Sequence, residues 1–409
     1  MQAALRDSGE RQIMAELRVG FFTEIYRPAI NGVVASVESL ASGLRSRGHH
    51  VYCFAPSMPG GAQSDEDVFR LPSIPLPNAS PYRLTLPLVG RRNVNNVIRR
   101  LSLVHVHSLF VTGWAGLRYA RRYSMPLVYT YHTQLEAYAH YVPFEPNATR
   151  FAASQLTRTF CNLVDAVIAP TPAVEAHLRE LGVESRIAVI PSAIDVERFG
   201  AGRRDDALRA RLGVPAGGRL LLFVSRLARE KNVDLLLRAF ALAGDDDARL
   251  IVAGDGPERA ELETLAQTLQ IDERVRFLGA VDREALPDLY ASADAFVFPS
   301  MTETQGLVQA EALAAGAYVI AADCQANREV SGGAATLVEA DPRAFATALR
   351  AIPAIADPLR AAAARAAARR FSVDAQADRV IQLYEELLGF ESYPQDAGED
   401  SQGWMPVRR

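Results

Sequence analysis

Residues 219–253 read RLLLFVSRLAREKNVDLLLRAFALAGDDDARLIVA. An apolar run at 219–225 gives way to a basic turn, an amphipathic stretch at 232–243, an acidic connection at Asp245-Asp246-Asp247 and a second apolar run at 249–253. A strand apolar on both faces belongs inside a parallel sheet, and two such strands joined by a helix make a βαβ unit. Outward from this unit the pattern repeats. Runs at 17–23, 50–55, 103–107, 127–132, 166–170 and 187–190 predict one set of strands, and runs at 219–225, 249–253, 275–279, 295–299, 318–322 and 335–339 a second. Helices are predicted at 33–47, where Val33, Val37, Leu40 and Leu44 recur on one face before Gly48, and near 232–243, 257–269, 307–315 and 342–351. The fold class is α/β, with two Rossmann-like doubly wound parallel-sheet domains facing a cleft.

Gly200, Gly202, Gly213, Pro215, Gly217 and Gly218 separate the two sets. The expected organisation is a loose leader at 1–14, an acceptor-side domain at 15–200 and a nucleotide-sugar-binding domain at 201–372. A C-terminal helix at 373–392 and a disordered acidic tail at 393–409 follow. A chain of 409 residues suits two domains of about 150–200 residues each. With 49% hydrophobic and 22% charged residues it resembles an ordinary globular protein, which excludes wholesale disorder. No uncharged apolar run is long enough to span a bilayer, and the leader lacks the apolar core of a secretory signal. Three widely spaced cysteines, Cys53, Cys161 and Cys324, make no disulfide framework or cysteine-based zinc site and point to a reducing cytoplasm.

Charge is unevenly placed. The net charge is −4, yet between Arg70 and Arg150 ten arginines meet only Glu136 and Glu145. Arg91-Arg92, Arg99-Arg100 and Arg121-Arg122 lie among Leu, Val and Tyr, a mixture suited to the anionic inner face of the cell membrane. The acidic second half, lacking any reader motif, speaks against nucleic acid as the partner.

In open parallel sheets ligands bind beyond the carboxyl ends of strands, and three segments stand there. Ile30-Asn31-Gly32-Val33 opens the first helix, where Gly32 admits close approach of a phosphate to a helix N-terminus. Ser225 to Asn232 contains Arg226 and Lys231. Of the 44 basic residues only Lys231 is a lysine, so a chain that otherwise writes arginine keeps one compact ammonium beside a bidentate donor. The most specific segment runs from Pro299 to Gly316. Glu303 lies in the loop after a strand, Gly306 lets the backbone approach a ligand, the amides of Leu307 and Val308 open a helix, and Glu311 lies one turn in. Paired carboxylates accept the vicinal hydroxyls of a sugar or a ribose through charge-assisted bonds.

The paired glutamates resemble the signature of family-4 retaining glycosyltransferases, and 225–231 resembles that family's phosphate-clamping segment. The similarity spans about 17–390. Residues 23–28 with 31–33, 104–108, and 129–133 with Tyr138 and Tyr141 resemble the branch that glycosylates diacylglycerol and related lipids. The resemblance implies the GT-B fold and transfer of a hexose with retention, glucose from UDP-glucose being the leading donor, to a lipid hydroxyl. It further implies that Gly32 faces the diphosphate, Arg226 and Lys231 hold its charge, Glu303 binds sugar hydroxyls, Glu311 binds ribose, and His132 sits beside the anomeric carbon. Gly316-Ala317-Tyr318 departs from the Gly-x-Pro frequent in the family, and 325–329 lacks its usual glycine.

Other patterns have competing readings. Gly254-Asp255-Gly256 begins like a dinucleotide fingerprint, but Arg259 occupies the third-glycine position. His105 and His107 are expected to be a buried hydrogen-bonded pair rather than metal ligands. No metal or further cofactor is expected, so cationic side chains and helix N-termini must neutralise the leaving diphosphate. The competing functions are a mannosyltransferase acting on a lipid or polysaccharide intermediate, a sugar-nucleotide 2-epimerase and a non-catalytic sugar-nucleotide-binding protein.

Overall fold

The computed structural model describes residues 16–29, 31–58, 67–75, 83–86, 92–136, 145–353 and 357–390. The leader, the acidic tail, Ile30, Tyr138, Tyr141 and Arg91 lie outside the described residues.

Strands β1 (Arg18–Phe22), β2 (His50–Pro56), β3 (Val68–Leu71), β4 (Ser73–Pro75), β5 (Arg83–Thr85), β6 (Leu103–Val106), β7 (Leu127–Thr130), β8 (Ala166–Ala169) and β9 (Arg186–Val189) occupy the first half. All but β4 and β5 join one parallel sheet in the order β3-β2-β1-β6-β7-β8-β9. The second half supplies β10 (Leu220–Val224), β11 (Arg249–Ala253), β12 (Val275–Gly279), β13 (Ala295–Phe298), β14 (Val319–Ala322) and β15 (Ala335–Val338). They form a second parallel sheet ordered β12-β11-β10-β13-β14-β15. Central strands such as β6, β8, β10 and β13 are buried along their whole length, as the continuous apolar runs require.

Strand order reverses between β1 and β6 in one sheet and between β10 and β13 in the other. Adjacent strands at such a point send their helices to opposite faces, so a crevice opens beyond their carboxyl ends. The candidate segments are the loops leaving β1, β10 and β13.

The last helix, Val373–Leu388, departs from the order of the chain. Val380, Ile381, Leu383 and Tyr384 join Leu17, Val19, Phe21, Leu40 and Leu44 in the core of the first sheet. It packs closely on the helix Gly32–Ser46 because Gly43 has no side chain: a β-carbon there would lie 2.9 Å from both Ala377 Cβ and Val373 Cγ1. Arg47 closes the edge through Asp378 at 2.6 Å and Asp374 at 3.1 Å.

Candidate functional site

The loop leaving β10 is shaped by close backbone crossings. Gly254, at φ 142°, and Gly256 pass so near Ser225 and Leu227 that a β-carbon would sit 1.8 Å and 2.2 Å from their carbonyl oxygens. These glycines serve strand-loop packing, which accounts for the partial dinucleotide pattern. The loop is then stitched to the one leaving β13: Asn232 Nδ2 donates to the Pro299 carbonyl at 3.1 Å and Ser300 Oγ to the Glu230 carbonyl at 3.3 Å. The stitching brings Lys231 Nζ to 2.6 Å from Glu303 Oε1, with both side chains largely buried. Arg226 directs Nη2 to Glu230 Oε1 at 2.5 Å, an ion pair across four residues of the loop.

Gly306, at φ 76°, turns the chain into the helix Leu307–Ala314. The first amides of a helix have no partner within it, so those of Leu307 and Val308 are available to an anion. The helix Gly32–Ser46 begins opposite. Asn31 caps it, accepting from Val34 N at 2.9 Å, and a β-carbon on Gly32 would stand 3.9 Å from Leu307 Cδ1. Two helix N-termini from two sheets therefore meet across the crevice.

The first sheet adds imidazoles. Thr304 Oγ1 donates to the His132 carbonyl at 3.1 Å, which places His132 one residue's reach from Glu303. Its Nε2 pairs with His107 Nδ1 at 3.0 Å. Burial lowers the His132 pKa to about 4, and burial beside the other imidazoles lowers that of His107 well below the usual value. Gln305 bonds both ways with the Ser192 backbone at 2.7 and 2.8 Å, fastening the Glu303 loop to the end of the first half.

Glu311, one turn into the helix Leu307–Ala314, is buried, accepts from Tyr290 Oη at 3.1 Å, and has its pKa pushed up to about 7 by burial, against the opposing pull of Arg283, Tyr290 and Arg198. Asn327, passed over in the sequence, holds the site from below. Its Nδ2 donates to the Ser300 and Ala322 carbonyls at 3.0 and 2.8 Å, and Gln309 Nε2 donates to the Asn327 carbonyl at 3.2 Å. No local pattern distinguishes that asparagine. Among the described residues no three His, Cys, Asp or Glu side chains converge to hold a metal.

The geometry suits an anion flanked by sugar hydroxyls: amides and an ammonium on one side, a carboxylate beside them. Residues 30–198 match the model described as Glycosyltransferase Family 4, and residues 204–371 match Glycosyl transferases group 1. The alpha-monoglucosyldiacylglycerol synthase of Streptococcus pneumoniae is 33% identical over 316 residues, covering 75% of this chain and 71% of that protein. The chain belongs to glycosyltransferase family 4. This family-4 chain is also 33% identical over 386 residues to the GDP-mannose-dependent alpha-mannosyltransferase of Mycolicibacterium smegmatis, covering 91% of this chain and 98% of that one. Among solved structures, sucrose-phosphate synthase from Thermosynechococcus elongatus superposes with a TM-score of 0.71 at 24% identity, covering 91% of this chain and 100% of that one. The family-4 glycosyltransferase thus has the GT-B fold and is a hexosyltransferase.

Proposed function

We propose that this glycosyltransferase transfers glucose from UDP-glucose to the hydroxyl of a membrane lipid of the diacylglycerol class, with retention at the anomeric carbon. The observation that carries the reading is the Lys231–Glu303 pair at 2.6 Å, set beside two facing helix N-termini. The donor is a nucleotide sugar. Its diphosphate lies between Gly32 and the amides of Leu307 and Val308, with Lys231 and Arg226 balancing its charge as the bond to the sugar breaks. Glu303 accepts from the sugar hydroxyls and Glu311 from the ribose. His132 borders the anomeric carbon. The acceptor oxygen attacks from the face the diphosphate leaves, and the departing phosphate takes its proton, so no side chain need become a covalent intermediate.

The lipid reading draws on the synthase relative and on one exposed helix face. Along Val111–Tyr123, the exposed residues Trp114, Arg118, Arg121 and Arg122 follow exposed Phe110 at helical spacing, an apolar end continuing into a basic one. Exposed Leu84, Leu86, Arg99 and Arg100 belong to the same half of the chain. Arg83, another of the arginines between Arg70 and Arg150, is instead engaged inside the chain, where it holds Ser73 through its carbonyl at 2.9 Å and Oγ at 2.8 Å. No described helix is long and apolar enough to cross a membrane; the attachment we propose is peripheral, through this basic and apolar face.

The mannosyltransferase relative favours GDP-mannose as the second reading. Incubation with radiolabelled UDP-glucose or GDP-mannose and a lipid extract decides between them. Label from UDP-glucose in an α-linked glycolipid is expected. Label from GDP-mannose alone, an epimer of the free donor, or nucleotide binding without turnover would each replace the proposal.

A further inference from the structure

Three imidazoles line up from the core of the first sheet toward the crevice. His105 is fully engaged, with Nδ1 2.5 Å from Tyr384 Oη and Nε2 2.7 Å from Thr130 Oγ1. Its ring lies against that of His107, tilted by 30°, with centroids 4.2 Å apart. His107 differs: Nδ1 meets His132 Nε2 at 3.0 Å, while Nε2 is buried with no hydrogen-bond partner. The ring of Phe21, edge to face at 4.6 Å, offers no more than a weak contact.

Two neutral imidazoles sharing one hydrogen bond have two arrangements. If His107 carries its proton on Nε2, a buried N–H is orphaned, and Nδ1 accepts from His132. If the proton is on Nδ1, the buried atom is a bare lone pair. Orphaned buried N–H groups are rarer than under-satisfied acceptors, because the donor forfeits its only bond. The second arrangement makes His132 Nε2 the acceptor. A neutral ring then carries its own proton on Nδ1, the nitrogen outside this bond.

We propose that His107 is a positioning residue that fixes His132 as the Nδ1-protonated imidazole, so that His132 presents an N–H donor rather than a basic lone pair to an oxygen of the donor sugar or acceptor. The inference rests on the reading that places His132 at the reacting sugar. His132 then orients or polarises a hydroxyl and does not deprotonate the acceptor, which agrees with proton transfer to the departing phosphate.

The test is long-range proton–nitrogen correlation NMR on the full chain labelled with nitrogen-15 histidine. His132→Gln assigns the His132 signals. The expected spectrum has a protonated Nδ1 and an unprotonated Nε2 for His132, and a protonated Nδ1 for His107. A His132 ring protonated on Nε2 would overturn the proposal whatever the activity shows. His107→Leu should lose about tenfold in kcat with the donor KM little changed, the scale of one hydrogen bond. His107→Asn, whose amide nitrogen can take the place of Nδ1–H, should restore most of it; equal loss in both variants also counts against the proposal. If His132→Gln transfers sugar at the normal rate, the reading of the site fails while the tautomer result stands.

Discussion

Lys231 Nζ and Glu303 Oε1 lie 2.6 Å apart although 72 residues separate them in the chain, and both are largely shielded from water. Removing one member leaves the other's charge without its main partner in a poorly solvated place, which costs about 3 kcal/mol in comparable pairs. Lys231→Ala should therefore destabilise the protein and also weaken donor use by about 2–4 kcal/mol. Urea unfolding and kcat/KM of Lys231→Ala, Glu303→Ala and the double variant form a cycle. The double variant is expected to recover part of the stability and none of the activity. Additive losses of stability would show that the two side chains do not interact in solution.

Glu311 makes a pH prediction with a definite sign. The folded protein keeps its proton to about pH 7, whereas an exposed glutamate releases it near 4.5. Its contribution to stability is complete below pH 4.5 and is lost as pH rises through 7, about 3 kcal/mol in all. Glu311→Gln should remove that dependence and be the more stable protein at pH 8. If Glu311 accepts both ribose hydroxyls as the ionised carboxylate, UDP binding at pH 6 should expel the proton. Calorimetry in buffers of different ionisation enthalpy should detect more release in the parent than in Glu311→Gln; equal release in the two disproves recognition of ribose by the ionised carboxylate.

The imidazoles act in the opposite direction. His105, His107 and His132 are held neutral by burial, with His132 titrating at about 4 instead of 6.5. Their stabilisation is present above pH 6.5 and disappears as pH falls through the folded-state values, because the unfolded chain takes up protons the folded one cannot. Urea midpoints should fall between pH 6.5 and 4, less steeply in His132→Gln. A variant with the parent's slope would remove His132 from the acid sensitivity.

Binding to vesicles should depend on charge. Full-length protein should sediment with anionic vesicles at low salt and be released by high salt, since surface attraction decays over about 10 Å at 0.1 M. Arg118→Glu and Arg121→Glu should each weaken binding by at least about 1 kcal/mol, and Trp114→Ala should weaken it at every salt concentration. Equal recovery with neutral and anionic vesicles would exclude electrostatic docking.

The parallel sheets were legible because their buried strands write continuous apolar runs, as at Leu220–Val224 and Ala295–Phe298. The hairpin of β4 and β5 was not, since three-residue strands are too short to show a period. At the candidate site, residue types and loop positions singled out Lys231 and Glu303, but not their contact. The direction of Arg226 toward Glu230 and the burial of Glu311 against Tyr290 depend on packing between segments. The histidines show the limit most clearly. The sequence predicted a bonded pair of His105 and His107, whereas the two rings meet at a tilt and His105 finds Tyr384, 279 residues away. Alternation along a strand reveals which face a residue occupies and nothing of a partner so distant.

The helix that carries Tyr384 has a consequence for biosynthesis. β1 and the helix Gly32–Ser46 are made first, but Val380, Ile381, Leu383 and Tyr384, which cover them, follow about 350 residues later, roughly 20–70 s at ribosomal speeds. Until then the apolar faces of Leu17, Val19, Leu40 and Leu44 lack part of their cover, and the whole second sheet emerges in the interval. The nascent first half must therefore wait, partly uncovered, for a piece of itself that the ribosome delivers late.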